Sequence, residues 1–138
     1  MPKYVAEMAI KSLNKAGKVI RNSKILIMGL SYKANVIDFR ESPVKALIKE
    51  FKEYGIDIWG YTTESEAAKK VFDIKLINNL SSSQRFDCVI VTVAHDEFKA
   101  IKLNELKGIM NYQPILIDLP GLFNTDEAHQ KGFIYKRL

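Results

Sequence analysis

The run Asp87-Cys-Val-Ile-Val-Thr-Val93 constrains the fold more than any other part of the chain. Its residues are apolar and largely β-branched, with no alternation of polar side chains. A strand reads this way when both of its faces are buried. Lys24-Ile-Leu-Ile-Met28 has the same character. Strands buried on both sides need helices above and below them, so these two runs together call for a layered α/β architecture.

The rest of the chain supplies the helices. Val5, Met8, Ala9, Leu13 and Ala16 recur at helical spacing and predict an amphipathic helix over 3–17, with Gly17 placed to end it. This helix precedes the first strand, so it either caps the sheet or is the tail of a longer helix from an upstream domain. Ser42-Pro43 predicts a helix start, with serine as cap and proline in the first turn. Val44, Leu47, Ile48 and Phe51 give that helix its apolar stripe, and Gly55 closes it. Strands are expected at 56–60, 74–77, 114–118 and 133–135, and helices at about 64–71, 96–101, 103–110 and 124–131. Strands alternating with helices imply a three-layer α/β/α, Rossmann-like, doubly wound parallel sheet of about five or six strands, with an extra amino-terminal helix.

With 138 residues, the chain fits one compact domain. No apolar run approaches the roughly 20 residues of a membrane span, and Met1-Pro2-Lys3-Tyr4 lacks the pattern of a signal peptide. These features lead us to expect a cytoplasmic protein with no membrane partner. The formal charge of +5 suits an anionic ligand. The lysines are spread over several helices rather than gathered in one stripe, so nucleic acid is not expected. With one cysteine, Cys88, and two distant histidines, His95 and His129, no metal site is expected. Cys88 lies inside an apolar run and reads as a buried structural thiol rather than a nucleophile.

In a sheet of order 3-2-1-4-5, the crevice between the carboxyl ends of strands 1 and 4 is the usual ligand site. Those ends carry Gly29-Leu-Ser-Tyr-Lys-Ala-Asn-Val-Ile-Asp-Phe-Arg-Glu-Ser-Pro43 and Ala94-His-Asp-Glu-Phe98. The first connection is long for a βα loop, which typically has about 2–6 residues. Lys33 and Arg40 can neutralise phosphate oxygens, and Tyr32 can pack on a base or sugar. Asn35, Asp38 and Glu41 can order the loop or accept sugar hydroxyls. His95 can hydrogen-bond a ligand, cap the next helix or order the loop. Gly29 alone does not make a dinucleotide fingerprint, and no Walker-type phosphate loop is present.

The segment 29–43 closely resembles the signature that opens the carboxy-terminal domain of the UDP-glucose/GDP-mannose dehydrogenase family. Met1-Pro-Lys-Tyr-Val5 and Leu13-Asn-Lys-Ala-Gly17 resemble the stretch just before that domain. Ala94-His-Asp-Glu-Phe98 resembles an element of members that oxidise UDP-N-acetylhexosamines. The resemblance implies an NAD-dependent UDP-sugar 6-dehydrogenase, most similar to UDP-N-acetylmannosamine dehydrogenase, which oxidises a C6 hydroxymethyl to a carboxylate. It also implies that residues 1–20 are the tail of a connector and 21–138 the UDP-sugar-binding domain. An amino-terminal NAD-binding domain and the catalytic cysteine would lie upstream, with Met1 an artificial start, and the complete enzyme would be a homodimer. Tyr32, Lys33, Asn35 and His95 would bind substrate, and Arg40 would reach the NAD phosphates. No catalytic residue is expected in this chain, and by itself it should not turn over.

Two departures stand out. Asp118-Leu119-Pro120 replaces the family's Asp-x-Arg, and Thr62-Thr63 replaces an Asp-Pro after strand 2. They support an alternative reading, a non-catalytic interaction or oligomerisation module derived from the domain.

Overall fold

The computed structural model describes residues 2–31, 39, 42–81 and 83–138. In chain order these form α1 (Pro2–Lys15), β1 (Lys24–Met28), α2 (Val44–Glu53), β2 (Asp57–Tyr61), α3 (Ser65–Lys69) and β3 (Lys75–Ile77). They continue as β4 (Phe86–Val91), α4 (Asp96–Lys99), α5 (Leu103–Lys107), β5 (Met110–Asp118), α6 (Thr125–Gln130) and β6 (Ile134–Lys136). The strands lie in the order β3-β2-β1-β4-β5-β6, and every neighbouring pair is parallel.

The apolar runs of β1 and β4 divide between the two faces because successive side chains of a strand point opposite ways. Ile25, Ile27, Cys88 and Ile90 face α1, α2 and α3, where they pack with Leu13, Leu47 and Phe51. Leu26, Met28, Val89 and Val91 face the other layer and pack with Phe98, Leu106 and Ala128. Each fully buried side chain of this size contributes about 1.5–3 kcal/mol relative to exposure. Val5, Ala9 and Leu13 place α1 in the first of these cores, against α2, β4 and β5.

Helix ends are built by the residues that the sequence offers. At the end of α1, Lys18 N–H reaches Leu13 O and Gly17 N–H reaches Asn14 O, both at 3.0 Å. This closure needs a left-handed residue, and Gly17 has φ 73°. The start of α2 matches its expected cap, because Ser42 Oγ accepts the N–H of Val44 at 3.2 Å. Pro43 already has helical dihedrals there.

One boundary differs in an informative way. Helical spacing predicts a helix through residue 110, but α5 stops at Lys107 and β5 begins at Met110, before Pro114. Its pairing with β4 slips between Phe86↔Met110 and Cys88↔Ile115, and Gln113 takes φ 54°. The strand bulges beside Pro114, which is where a proline without an N–H can be accommodated in a sheet.

At the amino edge of the sheet, Asp87 accepts from Lys24 N–H at 2.9 Å, Asn111 Nδ2 at 3.1 Å and Lys18 Nζ at 3.2 Å. Burial pushes its carboxyl upward, but these bonds outweigh it and the net shift is downward. The cluster pins β1, β4 and β5 at the end opposite the ligand crevice. Among the described residues, no helix is long and apolar enough to cross a membrane.

Candidate functional site

The carboxyl ends of β1, β2 and β4 open into a cavity of about 270 Å³. The chain connections leave β1 and β4 toward opposite faces of the sheet, so a crevice must open between them. Ser31, Phe39, Tyr61, His95, Glu97 and Phe98 are among its lining side chains.

Gly29 makes this corner possible. Its φ is 107°, and a Cβ here would collide with Thr92 Oγ1 and the Val93 side chain. Thr92 Oγ1 hydrogen-bonds to Gly29 O, so the glycine lets the ends of β1 and β4 close on each other. The room left by the missing Cβ is therefore filled by protein. A dinucleotide cradle uses such room for pyrophosphate, with a helix starting directly behind it. Here the next helix starts only at Val44, and the described residues do not fit NAD by themselves.

His95 ends the connection after β4. Although it is the residue before α4, its side chain does not cap that helix. The ring instead pairs Nε2 with Ser31 Oγ at 3.2 Å and stands edge-on to Phe98 at 5.1 Å. It thus links the ends of β4 and β1 across the crevice. Burial lowers its pKa, partly offset by Glu97 and Asp96. A neutral ring can donate at one nitrogen and accept at the other.

The second wall comes from β2. Tyr61 stacks edge-on against Phe98 at 5.8 Å, and burial, with help from Glu97 and Glu105, raises its pKa. Thr62 Oγ1 accepts the N–H of Glu64 at 2.9 Å and shapes the turn beyond. Phe39 closes the floor, buried and edge-on to Phe72 at 5.7 Å, and its carbonyl accepts Ser42 N–H at 3.3 Å. Hence the long connection after β1 is tied down at Phe39 and Ser42.

Glu64 and Glu97 are the charged groups among the described lining residues, and no cation accompanies them. Their carboxylates can accept hydrogen bonds from the hydroxyl or amide groups of a ring. Tyr32, Lys33, Asn35 and Arg40, the expected ligand contacts, lie outside the described residues, as do Asp38 and Glu41. Of the site residues expected from the sequence, His95 is placed at the cavity. Phe39 and Glu97 lie in the two segments expected at the crevice but had no role assigned to them, and Tyr61 was not expected there. The rule that ligands bind at strand carboxyl ends, applied to β2, would have found Tyr61.

In the sequence Asp118 stands out only through its neighbour Pro120, yet the structure gives it a task of its own. It is buried and accepts Gly121 N–H and Leu122 N–H at 3.0 Å, Phe123 N–H at 2.9 Å and Tyr135 Oη–H at 2.5 Å. Its carboxylate builds the turn after β5. Cys88 is fully buried, and burial pushes its thiol far above the usual range, which suits a structural residue and not a nucleophile. Among the described residues, no group of three or more His, Cys, Asp or Glu side chains is gathered as for a metal ion.

A six-stranded parallel sheet with a cavity at its switch point defines this as a doubly wound, Rossmann-like α/β domain. More specifically, the chain belongs to the UDP-glucose/GDP-mannose dehydrogenase family, UDP binding domain, whose sequence profile matches residues 26–125. It is 36% identical to the UDP-N-acetyl-D-mannosamine dehydrogenase of Methanococcus maripaludis, across all of this chain and 31% of that protein. It is 32% identical to the UDP-glucose 6-dehydrogenase of Rhizobium meliloti, across 93% of this chain and 30% of that protein. The solved NDP-N-acetyl-D-galactosaminuronic acid dehydrogenase of Methanosarcina mazei shares its fold. That likeness has a TM-score of 0.85 and 20% identity, over 99% of this chain and 29% of the other. The chain thus spans about 30% of the length of the relatives it matches.

Proposed function

We propose that this chain is the nucleotide-sugar-binding, carboxy-terminal part of an NAD-dependent UDP-sugar 6-dehydrogenase, with a UDP-N-acetylhexosamine such as UDP-N-acetylmannosamine as its substrate. The observation that carries the proposal is the cavity at the switch point, lined by Ser31 and Phe39 from the connection that bears the family signature. The identity to UDP-N-acetyl-D-mannosamine dehydrogenases over the whole chain supports the substrate class.

In this reading the chain binds and orients the substrate, and the chemistry happens at its border. Tyr61 and Phe98 offer aromatic edges to a ring, while Glu97 and Glu64 accept hydroxyl protons. Neutral His95 holds Ser31 at the mouth of the loop. Lys33 neutralises phosphate, Tyr32 and Asn35 contact the substrate, and Arg40 reaches toward the NAD phosphates. NAD, held by a separate amino-terminal domain, supplies the hydride acceptor. The catalytic cysteine belongs to that other part as well, because Cys88 is sealed in the core. The complete enzyme would be a homodimer working in the cytoplasm, where NAD and nucleotide sugars meet.

Titrating UDP into the isotope-labelled chain tests the reading. Amide shifts clustered at Ser31, Tyr61, His95 and residues 32–41 at millimolar UDP are expected, with weak affinity because the cleft is shared. Absence of any perturbation there would overturn independent nucleotide binding and favour an interaction or oligomerisation module instead.

A further inference from the structure

A second cavity, of about 520 Å³, lies between α1 and the end of β6. It is distinct from the switch-point cavity, and among the described residues its charged lining is cationic where that of the other is acidic. Tyr4, Met8, Lys11 and Lys15 recur at helical spacing and turn one stripe of α1 toward it, and Lys136 and Arg137 line it from the strand side. No carboxylate is among its lining residues. Among the described residues, none of these four cations pairs with a carboxylate.

Arg137 is held in place by the turn after β5. The Asp118 carboxylate draws the N–H groups of Gly121, Leu122 and Phe123 inward. The Gly121 carbonyl is left to accept Arg137 Nη2 at 3.3 Å, and the guanidinium packs over Gly121 in the space a Cβ would take. One hydrogen bond uses only part of the five-donor fork of an arginine. The remaining donors are left for an anion, on a guanidinium already drawn to one side of the groove by Gly121. Pro120 brings no N–H and no charge, and the amides of Gly121, Leu122 and Phe123 are engaged, so side chains must supply the positive field here.

We propose that the groove between α1 and β6 binds a phosphate-bearing anion, with Arg137 as its bidentate contact and Lys11, Lys15 and Lys136 as the surrounding charges. Its size is that of a small-molecule site, which are usually about 300–1,000 Å³. Four cations offset the charge of two linked phosphates better than that of one. The shared chemistry is thus a diphosphate, either free or carried by a nucleotide. This inference does not depend on the nucleotide-sugar reading of the switch-point cavity.

Inorganic pyrophosphate, titrated at low salt and followed by amide shifts and calorimetry, provides the test. Shifts should cluster at Lys11, Lys15, Lys136 and Arg137. Arg137→Ala should weaken binding by about tenfold or more, and Arg137→Lys should restore it only in part. Lys49→Ala on α2 should leave it unchanged. Equal losses in Arg137→Ala and Lys49→Ala would mean a general attraction to the net charge and would overturn the site, as would absence of shifts in the groove. Parallel titrations with UDP and uridine separate the sources. UDP moving the groove residues while uridine does not identifies a nucleotide diphosphate, whereas pyrophosphate moving them alone identifies a free anion. A chain that binds pyrophosphate here but shows no UDP shifts at Tyr61 and His95 would retain this site while losing the proposed function.

Discussion

Asp118 and His95 show how one side chain can organise the carboxyl edge of the sheet. Asp118 answers three backbone donors and the Tyr135 hydroxyl, all of which would lose this partner without it. Leaving a buried donor unpaired costs about 1–3 kcal/mol. Asp118→Ala should therefore lower stability by about 3 kcal/mol or more in urea unfolding, and should also release Arg137 from its perch on Gly121. His95 offers a pH prediction. Its folded pKa lies below the ordinary value, so the unfolded chain takes up a proton first as the solution is acidified. Its contribution to stability is complete above about pH 6.5, falls as pH drops below that, and levels off once folded His95 is protonated. An NMR titration should give His95 a midpoint below about 6.5; a midpoint above that value would contradict the burial argument.

At the scale of elements, the paired carboxyl ends of β1 and β4 form the most demanding junction. Thr92 N–H reaches Met28 O at 3.0 Å, and the Thr92 hydroxyl meets Gly29 O, so the two strand ends leave no room for a side chain at position 29. Gly17 also has a positive φ, but nothing stands where its Cβ would be. Gly17→Ala should thus cost only about 1 kcal/mol, the backbone penalty. Gly29→Ala adds a collision with Thr92 and Val93 and should cost about 2–4 kcal/mol, with shifts spreading to Ser31 and His95. Thermal melts of the two variants compare these penalties directly. Equal losses would show that the strand ends separate easily.

For the whole molecule, opposite ends of the sheet carry different duties. The Asp87 cluster locks the amino edge, while the switch-point cavity opens at the carboxyl edge. Substitutions of the cationic side chains in the signature connection should then affect function more than folding. In the complete dehydrogenase that we propose, Lys33→Ala and Arg40→Ala should each reduce kcat/KM by about tenfold or more while leaving the melting temperature unchanged, as read by NADH absorbance and calorimetry. Normal kinetics in both variants would remove the connection from the proposed site.

Much of this fold was legible because its cause is local. Doubly buried strands must be apolar throughout, so β1 and β4 stand out in the chain. The closures of α1 and α2 depend on glycine and on Ser42 within a few residues. The switch point is a consequence of strand order, and with it the location of His95. What the tertiary structure decided depends on partners far apart in sequence. His95 meets Ser31 across 64 positions, Asp118 meets Tyr135 across 17, and Arg137 reaches Gly121 across 16. No periodicity records such pairs, because hydrogen bonds of this kind form only after packing has brought the strand ends together. The sequence by itself indicated the layers and the carboxyl edge at which the cavity opens. Tertiary packing alone decided that Asp118 builds a turn, that His95 bridges two strands, and that Arg137 is held beside a basic groove.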